Sequence, residues 1–161
     1  MGEASGRVTR AFRDHEMFDR LDDGRFEATT TAFDAVVTAT EREGRIDYAI
    51  EVRAPSLSTA VEGDVAAVVE EGWLETFERR VADADGVVSG DHDLEPAVRL
   101  TDTEVIVETA FTDIDERRGV DDVAVVVNYV EGTYVQGIIP GYDYTGPVAR
   151  LVDRARQGAD A

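Results

Sequence analysis

VAVVVNYVEGTYVQGIIPGYDYTGP, residues Val123 to Pro147, decides how the rest of the chain is read. Between Val123 and Tyr142 its only charged residue is Glu131, in a chain that is otherwise 32% Asp, Glu, Lys and Arg. It also holds Tyr129, Tyr134, Tyr142 and Tyr144, four of the five tyrosines. A segment so poor in charge belongs against the body of the protein or against a partner. Val123, Val127, Val130, Tyr134 and Ile138 fall on one stripe, widened by Val126 and Val135, which predicts a helix from about 120 to 139. Gly132 and Gly137 weaken that helix or let a neighbour come close. Pro140-Gly141 ends it, and Gly146-Pro147 opens a last helix over about 147–156.

Working outward, residues 1–5 read as frayed. Gly6 to Glu16 reads as a helix, and a turn follows at Asp22-Asp23-Gly24. Three strands are expected at 26–31, 33–40 and 46–54. In the third, Ile46, Tyr48, Ile50 and Val52 alternate with Asp47, Ala49, Glu51 and Arg53, the pattern of a strand with one buried face. Leu57 and Val61 suggest a short helical turn. Asp64 is the expected N-cap of a helix over 65–82, with Val65, Val68, Val69, Trp73, Phe77 and Val81 on its apolar side. A loop spans 83–96, then strands 97–101 and 104–112 form a second hairpin with Val105, Val107, Thr109 and Phe111 on one face. Gln157 to Ala161 should be loose. The expected fold is a single α+β domain over residues 1–161. It has two layers, a five-stranded, mostly antiparallel sheet packed by helices, in the order α-β-β-β-α-β-β-α plus a C-terminal helix.

Composition narrows the function classes. There are 35 acidic and 16 basic residues, a net charge of −19, and every basic residue is arginine. Carboxylates spread along a whole chain fit a protein adapted to molar salt, where a Debye length of roughly 3 Å screens self-repulsion. The same balance argues against nucleic acid and against an anionic membrane surface as partners. With no cysteine, disulfides, thiolate nucleophiles and Cys-based metal sites are impossible. No signal peptide and no membrane span is read, and the expected location is cytoplasmic.

No sequence motif argues for an enzyme. Nucleotide-binding glycine loops, H-E-x-x-H and G-x-S-x-G are absent. Asp83-Ala-Asp85-Gly86 resembles part of a calcium loop, but Val81 and His92 stand where that loop needs carboxylates. His15 and His92, the only histidines, have no ligand spacing. His15 reads as packed at a helix end, and Asp91-His92-Asp93 as a solvated loop. No metal, cofactor or catalytic residue is assigned, and Glu51, Glu104 and Glu108 read as solvent-facing. The candidate binding residues are Tyr134, Gln136, Tyr142, Asp143 and Tyr144. Tyrosine carries a large apolar ring with a polar tip and is enriched at interfaces. Two readings of these rings stand: they cover the sheet as core, or they form a contact surface for a protein partner or a second copy. A small-molecule pocket between the sheet and the Pro140–Pro147 turn is the alternative.

Two resemblances follow. VEEGWLETFERRVADADGV (Val69–Val87) and NYVEGTYVQGIIPGYDY (Asn128–Tyr144) resemble a small acidic family of unknown function from extreme halophiles. The element order over about 7–140 is similar to the type III secretion chaperone-like fold. That resemblance implies a homodimer that binds extended segments of another protein. The Pro140–Pro147 turn and the final helix are additions that depart from it, so the usual dimer surface does not carry over directly.

Overall fold

The computed structural model describes residues 6–90 and 92–159. The termini read above as loose at 1–5 and 160–161, and Asp91, lie outside the described residues.

Six strands form one antiparallel sheet in the order β1-β2-β3-β4-β6-β5. They are β1 (Phe18–Asp22), β2 (Arg25–Ala28), β3 (Asp34–Arg42), β4 (Arg45–Pro55), β5 (Ala97–Leu100) and β6 (Glu104–Asp113). The helices are α1 (Gly6–Arg13), α2 (Leu57–Ala60), α3 (Ala67–Val81), α4 (Glu116–Gln136) and α5 (Gly146–Ala159). The α+β class and the helix-covered sheet agree with the expectation. The strand count does not, because no strand is expected from the sequence at residues 18–22, where β1 lies. Only Phe18 of that strand is buried. An edge strand with one inward side chain carries no alternation to read. The Asp22–Gly24 turn is present, and it joins β1 to β2.

The central pair β4 and β6 fixes the layers. Ile46, Tyr48, Ile50, Val52 and Ala54 of β4 are at most 4% exposed. They stand opposite Asp113, Phe111, Thr109, Val107 and Val105 of β6. This common face meets α4, and Val123, Val126, Val127, Val130 and Tyr134 of that helix are all at most 2% exposed. α1 flanks the first half of α4 through Arg7 to Glu116 and Arg117 to Asp14. α3 flanks the second half, where Trp73 and Phe77 lie against Tyr134. The far face of the sheet carries Thr38, Ala49, Glu51, Arg53, Glu108 and Ala110. Ile106 is the exception there, 1% exposed between its register partners Arg53 and Arg99. Arginine stems cover apolar surface while their charged heads reach carboxylates, here Glu51, Glu104 and Glu108.

Several helix ends differ from expectation. α4 begins at Glu116 rather than 120, because the Asp115 carboxylate accepts the Arg117 and Arg118 N–H groups and caps it. α3 begins at Ala67 with Ala66 at the cap position and no side-chain cap, so Asp64 is not the N-cap. Its buried stripe is narrower, for Val68 is 74% exposed and only Trp73, Phe77 and Val81 are fully inside. α2 is capped by the Ser56 hydroxyl, which accepts the Thr59 N–H. α5 runs to Ala159, so Gln157 is helical rather than loose.

Candidate functional site

The five candidate residues separate in the fold. Tyr134 is core, 1% exposed, and its hydroxyl donates to the Pro55 carbonyl at 2.8 Å across the end of β4. Burial, reinforced by nearby Tyr144 and Glu70, pushes its phenol well above the ordinary tyrosine range, so the group stays neutral. Tyr142 and Tyr144 are half-buried against the core, while Gln136 and Asp143 are exposed. The structure therefore does not bring the five onto one surface.

What it builds from the 140–147 turn is a clasp. Val61 and Tyr144 form an antiparallel bridge. Glu62 N–H donates to the Asp143 carbonyl at 2.8 Å, and Thr145 N–H to the Ala60 carbonyl at 2.7 Å. The Tyr144 hydroxyl accepts the Ile139 N–H at 2.8 Å and so pairs a backbone donor just beyond the end of α4. Burial raises that phenol's pKa, and the Ile139 N–H works against the rise without cancelling it. A cavity of about 350 Å³ reaches Pro147, but Phe33, Arg53, Pro55 and Glu104 wall it and none of the candidate side chains lines it.

Gln136 leads to a different feature. A groove of about 320 Å³ lies between α3 and the last turn of α4, with Trp73 and Phe77 as its aromatic wall. The two rings are stacked with centroids 5.9 Å apart, and Trp73 meets Tyr134 edge to face at 5.5 Å. Thr76, Arg80, Thr133 and Gln136 supply polar groups, and Gly72 and Gly137 supply none. A Cβ at Gly137 would sit 3.3 Å from Trp73 Nε1. The bare backbone there keeps the indole N–H clear of a side chain. That N–H has no hydrogen-bond partner among the described residues, and Arg80 has no ion pair among them. An apolar wall, one free donor and one free cation suit a ligand with an apolar group and an acceptor oxygen. The sequence assigned Trp73 to the core, which its 7% exposure supports. The groove itself lies where α3 and the end of α4 come together, with Gly72 and Gly137 both in its lining, which no local pattern announces.

Glu51, Glu104 and Glu108 lie on the open face of the sheet, as read. Glu51 and Glu108 are direct cross-strand partners, each held by an arginine: Arg53 at 2.7 Å and Arg99 at 3.1 Å. The cavity of about 530 Å³ over this face is broad and charged.

His92 corrects the reading of its loop as solvated. Its side chain is 6% exposed, next to Asp113 and Asp122 at 1% each. The sequence signal for this trio was weak, since the residues come from a loop, a strand end and a helix.

The family model that describes a family of unknown function, DUF5813, matches residues 13–154, and the chain belongs to that family. No curated protein and no solved structure matches the chain.

Proposed function

We propose that this protein is a non-enzymatic binding module that captures an extended segment of another protein in the α3–α4 groove. The observation that carries the reading is the unpartnered Trp73 N–H, set in an aromatic wall and left open by Gly137. A peptide supplies what the groove lacks, an apolar side chain against Trp73 and Phe77 and a backbone carbonyl for the indole donor. Arg80 adds a preference for a carboxylate beside that carbonyl. The exposed Gln136 amide can pair with peptide backbone at the rim. Tyr142, Asp143 and Tyr144 act indirectly, through the clasp that holds the end of α4 in place. The reading extends to a halophilic, cytoplasmic setting, supported by the net charge of −19. No described helix is long and apolar enough to cross a membrane.

A small organic acid is the second reading, favoured by a volume within the ~300–1,000 Å³ of small-ligand sites. Trp73 is the only tryptophan, so fluorescence excited selectively at tryptophan reports on this groove. The test is co-purification in molar salt. Fluorescence titration follows, with peptides from the captured protein and with the small acids released from the purified complex. Binding should shift the Trp73 emission, and Gly137→Ala, which puts a methyl against the indole N–H, should weaken it. Capture that Gly137→Ala and Arg80→Ala leave unchanged, with no emission shift, removes the groove from the function.

A further inference from the structure

Outside the groove, the end of the sheet holds a cluster that the peptide-binding reading does not use. His92 Nε2 lies 3.3 Å from Asp113 Oδ2 and 3.2 Å from Asp122 Oδ2. It is buried, yet it meets hydrogen-bond geometry with neither oxygen. Charge-assisted N–H···O bonds run to ~2.7–2.9 Å, so both separations are long for an imidazolium held by two carboxylates. They fit another occupant. Ligand atoms ~2.05 Å from one ion at tetrahedral angles stand about 3.3 Å apart. An octahedral magnesium site at ~2.1 Å would bring them to about 3.0 Å, and calcium takes oxygen ligands rather than imidazole.

The carboxylates are held as metal ligands are held. Asp122 accepts the Ser89 N–H at 2.8 Å, the Ser89 hydroxyl at 2.9 Å and the Gly90 N–H at 2.9 Å. Asp113 accepts Arg118 through Nη2 at 2.6 Å and Nε at 3.0 Å, and the Asp115 N–H at 3.0 Å. Outer contacts of this kind fix the direction of ligating oxygens. The histidine ring is placed with equal care. It packs on Phe111 with centroids 4.3 Å apart. A Cβ at Gly90 would come within 2.8 Å of its Cε1, so only glycine lets the ring turn inward. Two carboxylates against one guanidinium leave the pocket with one negative charge unbalanced, which a further cation answers. All three ligating atoms lie within 4.8 Å of one another.

We propose that His92, Asp113 and Asp122 form a three-ligand site for a divalent cation of the zinc class, with a fourth position for water or an exogenous donor. The site ties the 87–96 loop to the junction of β6 and α4.

The test uses the whole chain, stripped with a chelator and titrated with Co²⁺ in molar salt with excess Mg²⁺ to occupy surface carboxylates. One equivalent should bind and give the intense visible absorption of tetrahedral Co²⁺. Zn²⁺ should displace it and shift the ring ¹⁵N resonances of His92 while leaving those of His15 in place. Ser89→Ala, which removes one outer hydroxyl, should weaken binding about tenfold, and His92→Gln should abolish the visible band. Should His92→Gln not fold, the ¹⁵N shifts of the wild-type protein decide the matter alone. No binding, a weak octahedral spectrum, or Zn²⁺ that leaves the His92 ring unshifted overturns the site.

Discussion

The Tyr48 ring packs on the bare backbone of Gly119. A Cβ at Gly119 would stand 2.5 Å from both Cε2 and Cζ of Tyr48, a separation that carbon atoms do not tolerate. The tyrosine is fully buried, and its hydroxyl lies 3.4 Å from the Glu116 carbonyl in the first turn of α4. The ring is also fixed from the other side by Phe111 and Phe12. With no room to retreat, Gly119→Ala should lift α4 from the sheet and cost about 1–3 kcal/mol. Chemical denaturation checks this. Unchanged stability would mean that α4 sits farther from β4 than described.

Gly132 offers the contrast. It lies in the same helix, it is exposed, and nothing stands within 4 Å of an added Cβ. No neighbour approaches there, so the glycine carries only its conformational cost. Gly132→Ala should stabilise the protein by about 1 kcal/mol. A loss of stability would reveal a partner or a second copy packed on that face.

The two glycines show where local pattern is informative and where it stops. The alternation in β4 and β6 and the apolar stripe of α4 were legible, because burial on one face leaves a period in the sequence. β1 was not, since an edge strand with one buried side chain has no period. The groove and the His92 trio were hidden for another reason. Each is assembled from elements far apart in the chain, and only tertiary pairing puts Trp73 against Gly137 or His92 near Asp122. The tyrosines illustrate a third case. Composition showed that the stretch avoids water, but not which rings face inward and which clasp a turn.

Tyr134 and Tyr144 therefore make different predictions. Tyr134→Ala removes a fully buried ring that touches Phe33, Trp73 and Phe77, and should cost about 3–5 kcal/mol. Tyr144→Phe keeps the ring and deletes the acceptor of the Ile139 N–H, a loss of about 1 kcal/mol. Hydrogen exchange at the Ile139 amide should accelerate in the Phe variant while the sheet amides keep their protection. Equal acceleration throughout would show that the hydroxyl supports global rather than local structure.

Glu131 gives a pH signature. It is 9% exposed in the charge-poor stretch. Burial raises its pKa above the ordinary glutamate value, while the Ala32 N–H at 3.4 Å and the charge of Arg154 oppose the rise. A carboxyl whose pKa is raised in the fold prefers its neutral form there. Its contribution is fully present below the unfolded pKa and declines as pH climbs through the folded one. Glu131→Gln keeps an acceptor for Ala32 and cannot ionise. The variant should gain on the wild type as pH rises above the unfolded glutamate pKa of about 4.3, with the gain levelling off once the folded carboxyl has ionised, measured as the difference in unfolding free energy. A difference that stays flat with pH removes the buried-carboxylate account.

The acidic surface sets the last expectation, which belongs to the halophilic reading. On α3, Glu71, Glu75 and Glu78 are exposed, and of these only Glu75 has an arginine partner among the described residues, Arg79 at 3.3 Å. Glu71 and Glu75 are four apart on one helix face, where like charges repel by a few tenths of a kcal/mol at low salt. Many such small repulsions, summed over a net charge of −19, oppose the compact state. They fade as the Debye length shrinks from ~10 Å at 0.1 M salt to ~3 Å at 1 M. The melting temperature should rise over that range of sodium chloride, and more than in sucrose matched for osmolality, which screens nothing. Replacing Glu71 and Glu78 by Gln should flatten the salt slope and leave the sucrose slope alone. If salt and sucrose raise the melting temperature equally, water exclusion rather than screening governs this fold, and its carboxylates serve solubility alone.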